Sequence, residues 1–171
     1  MSLKPSVNSK DHVQGNANAD LVIVEYGDYQ CPYCGAAYPV LKALMKEFGS
    51  QVKFVFRNFP LSEMHEYARI AAIAAEAANL QGKFWEMYDA IYENQSYLDE
   101  DFLLELAEKL DLNISQFKND LEKTELADKV DADFESGILS GVNGTPSFFV
   151  NDKKFDGSAM DLLELIRANA S

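Results

Sequence analysis

The sequence predicts an α/β fold in which a block of helices interrupts a small β-sheet. Three observations lead to this prediction. An apolar stretch, a helical pattern and a second apolar stretch follow one another up to residue 58; the pattern then becomes almost wholly helical; and after residue 140 two short strands precede a last helix. The predicted divisions are an N-terminal arm at 1–19, an α/β part at 20–61 and 141–171, and an inserted helical domain at 62–140.

The α/β part begins with a strand at 20–26 that has apolar residues on both faces, which suggests a central strand covered on both sides. A helix is predicted at 32–48, and Pro39 should kink it because a proline deletes one backbone hydrogen bond. A second strand is predicted at 52–58. Since strand, long helix and strand form a βαβ unit, we expect the two strands to be parallel.

The helical block is predicted to hold five helices. Ser62 should cap the first, which reaches Leu80, and Asp99 should cap the third. The second carries an aromatic stripe at helical spacing, which is far more often core than a cofactor site. The fifth is expected to end near Gly141. Its predicted inward-facing residues are Leu126, Val130, Phe134 and Ile138.

The chain returns to strands after the block. Ser147–Val150 is predicted as a strand, and Asn151 and Asp152 form a tight turn into a second strand at 153–156. The two strands should form a hairpin. Ser158 is then expected to cap the last helix, whose apolar residues recur at helical spacing.

The composition narrows the possible functions. Hydrophobic residues make up 47% of the 171 positions, which is ample for a packed core, and the net charge of −13 argues against nucleic acid and anionic membrane surfaces as partners. The sequence has no run long enough to insert stably in a membrane, and the first ten residues are too polar for a secretory signal. We therefore favour a cytoplasmic location; an extracytoplasmic one is the alternative if a signal has been removed.

The two cysteines of the chain, Cys31 and Cys34, lie two positions apart where the first strand leads into the first helix. This spacing lets one helical turn bring the sulfurs within bonding reach. Pro32 occupies the first helical position, so free backbone N–H groups and the positive end of the helix dipole should stabilise a Cys31 thiolate. Cys31 is therefore the predicted nucleophile and Cys34 the resolving thiol.

Other interpretations of the cysteine pair are weaker. A structural disulfide normally closes a longer loop, and a structural zinc site needs four ligands. Only His12 and His65 could complete such a site, and their spacing does not fit one. We therefore predict neither a metal nor an organic cofactor.

Three polar residues near the pair have open roles. Glu25 ends the first strand, either as a charge that reaches water or as a partly buried acid that helps to move the Cys34 proton. Asp28 is expected to lie on the turn in solvent. His65 is either a surface residue in the first helical turn of the block or a positive charge close to the active site.

The order of elements and four motifs together resemble the DsbA-like branch of the thioredoxin-like superfamily, in which a helical domain interrupts the thioredoxin fold. The resemblance covers nearly the whole chain from about Asp11. The matching stretches are EYGDYQCPYC at 25–34, FRNFPL at 56–61, QGKFW at 81–85 and GTPSFFV at 144–150.

The resemblance implies roles for further residues. In this family Pro146 would follow a cis peptide bond beside the redox pair, Thr145 would present backbone groups to a bound substrate strand, and Glu25 would be the buried acid. An apolar substrate groove would surround them. The dipeptide Pro32-Tyr33 would set the redox poise; since Tyr33 cannot carry the positive charge of the histidine usual in DsbA, we expect less than maximal oxidising strength.

The leading functional hypothesis is a protein disulfide oxidoreductase that acts on protein or peptide thiols and disulfides, in a direction the sequence leaves open. A redox partner protein or glutathione would recycle it. One alternative is a glutathione-dependent transferase or isomerase, although such enzymes generally have a serine where Cys31 stands. Another is a module without catalysis that binds peptides or senses redox state within a larger assembly.

Overall fold

The computed structural model describes residues 1–170 and contains one five-stranded sheet. The order of its strands is β1-β3-β2-β4-β5. β2 pairs with β3 in parallel, as the βαβ unit predicts, and with β4 antiparallel; β4 and β5 form the predicted hairpin. The strands are β1 (His12–Gly15), β2 (Leu21–Gly27), β3 (Val52–Asn58), β4 (Ser147–Val150) and β5 (Lys153–Phe155).

Two helices, α1 and α7, belong to the α/β part and pack against each other, and five form the predicted helical block. The Asp99 and Ser158 caps are both present, because each side chain accepts a hydrogen bond from the third residue after it. The helices are α1 (Pro32–Phe48), α2 (Ala68–Asn79), α3 (Phe84–Glu93), α4 (Glu100–Lys109), α5 (Ile114–Leu121), α6 (Thr124–Leu139) and α7 (Ala159–Asn169).

β2 is the central strand, and apolar residues cover both of its faces. Ile23 belongs to the larger hydrophobic cluster, which includes α1 and most of the helical block, while Val24 belongs to a smaller one on the other face. Both residues are at most 1% exposed. Burial on both sides explains why this strand reads as a nearly continuous apolar run.

The structure differs from the sequence predictions in the N-terminal arm, at the start of α2 and on α6. The N-terminal arm contains β1, which pairs antiparallel with β3. α2 begins at Ala68 rather than at Ser62, because the side chain of Asp28 binds Leu61 N–H and holds the preceding residues in turns. Ile138 is 55% exposed, because it lies on the outer face of α6.

A buried polar cluster joins the helical block to the sheet. Both carboxylate oxygens of Glu76 contact His12 Nε2, at 3.0 and 2.9 Å, and Glu76 also accepts from the Asn58 amide. Asp133 accepts from both the backbone and the side-chain N–H groups of Asn58. These contacts satisfy carboxylates that would otherwise be costly to bury.

Within residues 1–170, no helix is long and apolar enough to cross a membrane.

Candidate active site

Cys31 is the N-cap residue of α1 and Cys34 lies one turn further on. Cys31 has extended backbone angles and Pro32 follows at the start of the helix, where the missing N–H leaves no bond unmade. The N–H of Gly35 donates to the Cys31 carbonyl at 3.0 Å, which forms the first helical turn. The thiol positions therefore follow from a local signal, a proline directly after the cap.

The two thiols lie directly beneath the surface. Cys31 is 3% exposed and Cys34 is 1% exposed, and both are free thiols in this structure. Tyr33, between them, is 76% exposed, and Pro32 is also exposed. The exposed part of the pair is therefore the dipeptide between the two cysteines.

The environment of Cys31 stabilises its thiolate. Hydrogen bonding from the Cys34 side chain is the largest cause, and together with the Thr145 side chain and the N–H groups of Cys34 and Tyr33 it lowers the pKa of Cys31 to about 5, against the opposing effect of burial. At neutral pH such a group is ionised. Cys31 therefore has the character of an attacking and a leaving sulfur.

The environment of Cys34 has the opposite effect. Burial raises the pKa of this thiol well above its usual range, and the neighbouring Cys31 and Glu25 raise it further. One contact favours its thiolate: the backbone N–H of Asp28 points at Cys34 Sγ from 3.5 Å. The two sulfurs, one turn apart, are thus strongly different acids.

Glu25 is a buried acid at the end of β2. It is 1% exposed, and the Tyr88 hydroxyl donates to its Oε1 from 3.4 Å. Burial is the main cause that raises the pKa of Glu25 to about 8; the Tyr88 contact lowers it, and the charge of Cys31 raises it. Glu25 therefore does not reach water, and its carboxyl group is mostly protonated at neutral pH.

The loop before β4 brings Thr145 and Pro146 to Cys31. The Cys31 thiol donates to the Thr145 carbonyl at 3.6 Å, and the Thr145–Pro146 peptide bond is cis. The Thr145 hydroxyl is buried and makes no well-aligned hydrogen bond among residues 1–170, but it is close enough to Cys31 to favour the thiolate. Thr145 therefore borders the Cys31 sulfur and Pro146 follows it directly, although more than a hundred positions separate Thr145 from Cys31.

Asp28 is the clearest case in which the sequence prediction was wrong. It is 1% exposed rather than solvated. Its carboxylate accepts hydrogen bonds from Gln30 N–H, Leu61 N–H and His65 Nδ1. His65 lies before α2 and contacts Asp28 rather than either sulfur.

Gln95 is a second polar contact to the active-site loop that the sequence did not indicate. Its amide donates to the carbonyls of Tyr29 and Cys31 at 2.9 and 2.8 Å.

Residues 1–170 contain no cluster of three or more His, Cys, Asp or Glu side chains that could hold a metal ion.

A sequence profile of the family described as Thioredoxin matches residues 7–167. The chain belongs to this family. Within it, the chain is a DsbA-like member of the thioredoxin-like superfamily of thiol-disulfide oxidoreductases. A thioredoxin-like oxidoreductase from Silicibacter pomeroyi superposes with a TM-score of 0.80 at 29% identity, covering 96% of this chain and 95% of that one. BdbD from Bacillus subtilis gives a TM-score of 0.82 at 26% identity, covering 96% of each.

The thiol-disulfide exchange protein α-DsbA2 from Wolbachia pipientis shares the thioredoxin-like fold. Its TM-score is 0.83, with 95% of this chain and 86% of that one covered; at 20% identity, the likeness concerns the fold alone. These superpositions confirm the predicted thioredoxin-like fold with its helical insertion.

Relatives of higher sequence identity are much longer proteins. A Na(+)/H(+) antiporter NhaA 1 of Salinispora arenicola is 44% identical over 149 residues, which is 87% of this chain and 23% of that protein. A Na(+)/H(+) antiporter NhaA of Herminiimonas arsenicoxydans is 36% identical over 159 residues, 92% of this chain and 25% of that protein. The chain thus spans about a quarter of the length of the curated relatives it matches.

Proposed function

We propose that this protein exchanges disulfides with protein or peptide substrates, with Cys31 as the nucleophile and Cys34 as the resolving thiol. The observation that carries the proposal is the contrast between the two sulfurs: Cys31 at the start of α1 has a pKa near 5, while that of Cys34 is raised far above its usual range. An anionic sulfur with a protonated one behind it is the arrangement that two-step exchange needs.

The exchange runs in two balanced steps. The Cys31 thiolate attacks one sulfur of a substrate disulfide, so that a mixed disulfide forms and the other substrate sulfur leaves with the bonding electron pair and takes up a proton. Cys34 then loses its proton and attacks Cys31 Sγ, and the remaining substrate sulfur leaves as a thiolate. The substrate gains two electrons and the cysteine pair loses them; substrate oxidation is the same sequence in reverse.

Glu25 supplies a place for the Cys34 proton. While Cys31 is anionic, its charge helps to keep Glu25 protonated. Once Cys31 is in the mixed disulfide that charge is gone, so the pKa of Glu25 falls and its carboxylate becomes available as a base for Cys34. Burial, the main cause of the raised pKa, persists, so Glu25 is a carboxyl group that titrates near neutral pH and can take up the Cys34 proton.

The Thr145 carbonyl is the proposed anchor for substrate. It lies 3.6 Å from Cys31 Sγ, where an extended peptide can pair with it beside the reacting sulfur. A hollow of about 470 Å3 lies beside Leu61, whose N–H binds Asp28; Met64 and Phe134 line it, and neither cysteine nor Thr145 does. Met64 is 74% exposed, so this hollow offers apolar area to a protein or peptide chain.

Turnover assays test the proposal. Reduced protein should accelerate the reduction of insulin, or oxidised protein the oxidation of a dithiol peptide, at substoichiometric concentration; no turnover in either direction would contradict it. The reduction potential against glutathione then gives the favoured direction. Because the Cys31 thiolate stabilises the reduced form, we expect a more oxidising couple than for a cysteine pair of ordinary pKa.

Thr145→Val tests the contribution of the threonine hydroxyl. Valine keeps the shape and the backbone carbonyl but removes a polar group that favours the thiolate. We expect the pKa of Cys31 to rise by about 1, because the thiolate loses a hydroxyl that can turn its proton towards the charged sulfur. Ultraviolet thiolate absorbance against pH measures it; Thr145→Ser should stay near the parent value, and an unchanged pKa in Thr145→Val would contradict the assignment.

A second candidate function is peptide binding or redox sensing without catalysis, as a module of a longer protein. The match to about a quarter of proteins named as Na(+)/H(+) antiporters favours a module that reports redox state to an attached partner. Peptide binding without turnover, together with a Cys31 thiol of ordinary pKa, would support this candidate. The lowered pKa of Cys31 favours the enzyme instead.

Three further points of the sequence analysis remain predictions. A redox partner protein is our proposed means of recycling, and none of the comparisons points to glutathione in that role. The location, cytoplasmic or in the alternative extracytoplasmic, stays a prediction, as does the division into arm, α/β part and inserted helical domain. A glutathione-dependent transferase is disfavoured by membership of the thioredoxin family and by the two thiols.

A further inference from the structure

The active-site loop is held by a carboxylate that the exchange chemistry does not use. Asp28 is fully enclosed, with His65 Nδ1 2.7 Å from its Oδ2 atom. The same oxygen accepts from Leu61 N–H at 2.9 Å, and the other accepts from Gln30 N–H at 2.7 Å. A carboxylate bound by three groups holds its residue in a single orientation.

The backbone of Asp28 contacts both cysteines. Its carbonyl accepts from Cys31 N–H at 3.1 Å, and its N–H donates to Cys34 Sγ at 3.5 Å. The second contact favours negative charge on Cys34, the sulfur whose pKa is otherwise raised. The orientation of the Asp28 peptide group therefore bears directly on how easily Cys34 ionises.

His65 supplies the side chain that binds the Asp28 carboxylate from outside the active-site loop. It lies on the segment before α2, 37 positions from Asp28, and 17% of its side chain is exposed. The ring can donate one hydrogen bond to Asp28 from Nδ1. Two neighbouring contacts hold the same loop, from Tyr67 N–H to the Gln30 side chain and from Gln95 to the Cys31 carbonyl. The helical block thus fixes the loop from one side.

We propose that His65 is a positioning residue for the resolving step: by holding the Asp28 carboxylate, it keeps the Asp28 N–H directed at Cys34 Sγ and so speeds the attack of Cys34 on the mixed disulfide. In that step Cys34 gives up its proton to the Glu25 carboxylate, its sulfur forms a bond to Cys31, and the substrate sulfur leaves with the electron pair of the broken bond. The proposal rests on the proposed function, because it concerns the second of its two steps.

The experiment separates the two steps in a single turnover. Reduced protein is mixed with an excess of a peptide disulfide, quenched with acid at set times, and analysed by mass spectrometry for the mixed disulfide. In His65→Ala we expect its formation within about twofold of the parent rate and its decay about tenfold slower, as for one lost hydrogen bond to a charged group. His65→Asn, whose amide nitrogen lies near the position of Nδ1, should restore decay to within about threefold.

Two variants guard against a general loss of stability. His12→Ala breaks the other histidine–carboxylate pair, which is buried and joins His12 to Glu76 rather than to the active-site loop. It should lower the unfolding midpoint in urea and leave both rates unchanged. His65→Gln places its amide nitrogen near Nε2 instead of Nδ1, so it is the disruptive variant to use if His65→Ala does not fold, with the same slow decay expected.

Several results would overturn the inference: decay at the parent rate in the disruptive variant, equal slowing in His12→Ala, or a parallel fall in formation and decay. Failure of the proposed function looks different. In that case the parent protein itself accumulates no mixed disulfide, and the inference falls with it.

Discussion

Cys31→Ser is expected to lower disulfide exchange by at least roughly a thousandfold, because a serine hydroxyl is neither ionised at neutral pH nor able to form a disulfide. The helix start that lowers the Cys31 pKa would remain, with no sulfur for it to act on. Insulin reduction and dithiol-peptide oxidation measure the loss.

Cys34→Ser is the matched control for this variant. It keeps the attacking sulfur and removes only the resolving one, so we expect it to form mixed disulfides that persist and can be isolated with the substrate attached. Full activity in the Cys31→Ser protein, or mixed disulfides formed through Cys34, would contradict the assigned roles.

Glu25→Gln should have opposite effects on activity and stability. Removal of the base should slow the decay of the mixed disulfide by about a hundredfold. The parent decay rate should rise with pH as Glu25 ionises, and the variant should lack this dependence. A variant that resolves mixed disulfides at the parent rate would contradict the proton-transfer role.

The effect on stability follows from the pKa of Glu25. Its folded value of about 8 lies above the ordinary 4.5, so burial of this acid destabilises the fold progressively as pH rises from 4.5 to 8. Glu25→Gln should therefore be more stable than the parent by roughly 3 kcal/mol at pH 7, and equal to it near pH 4. Urea unfolding of both reduced proteins measures the difference.

We compare the free energies of unfolding of the two proteins, rather than the pH dependence of either one, because ionisation of Cys31 makes the fold more stable as pH rises. Its folded pKa lies below the ordinary 9.0, so its stabilising contribution is lost as pH falls towards 5. Both proteins contain Cys31, so this contribution largely cancels. A difference that does not grow between pH 4 and pH 8 would contradict the raised pKa of Glu25.

Local signals explain which parts of the fold could be predicted. The bounds of α1 and β3 were predicted correctly because Pro32 and Gly49 mark the ends of the helix and the apolar pattern marks the strand. The cysteine pair at the helix start is equally local. β1 was missed because four residues of mixed polarity form a strand only by pairing with β3, some forty positions later.

The residues around the cysteines depend on distant contacts. Asp28 resembles an ordinary turn aspartate in the sequence, and its burial follows from Leu61 and His65, 33 and 37 positions away. Gln95 reaches the loop from 64 positions away. Only the family resemblance drew attention to Thr145 and Pro146. Nothing in the local sequence distinguishes such residues from solvated polar ones.

The central claim is that Cys31 is a thiolate at neutral pH while Cys34 is a thiol. The rate of alkylation of the reduced protein by iodoacetamide, measured against pH with the labelled cysteine identified by mass spectrometry, tests it most directly. We expect labelling at Cys31 with an inflection near pH 5. An inflection near the ordinary value of 9.0, or labelling mainly at Cys34, would contradict the account.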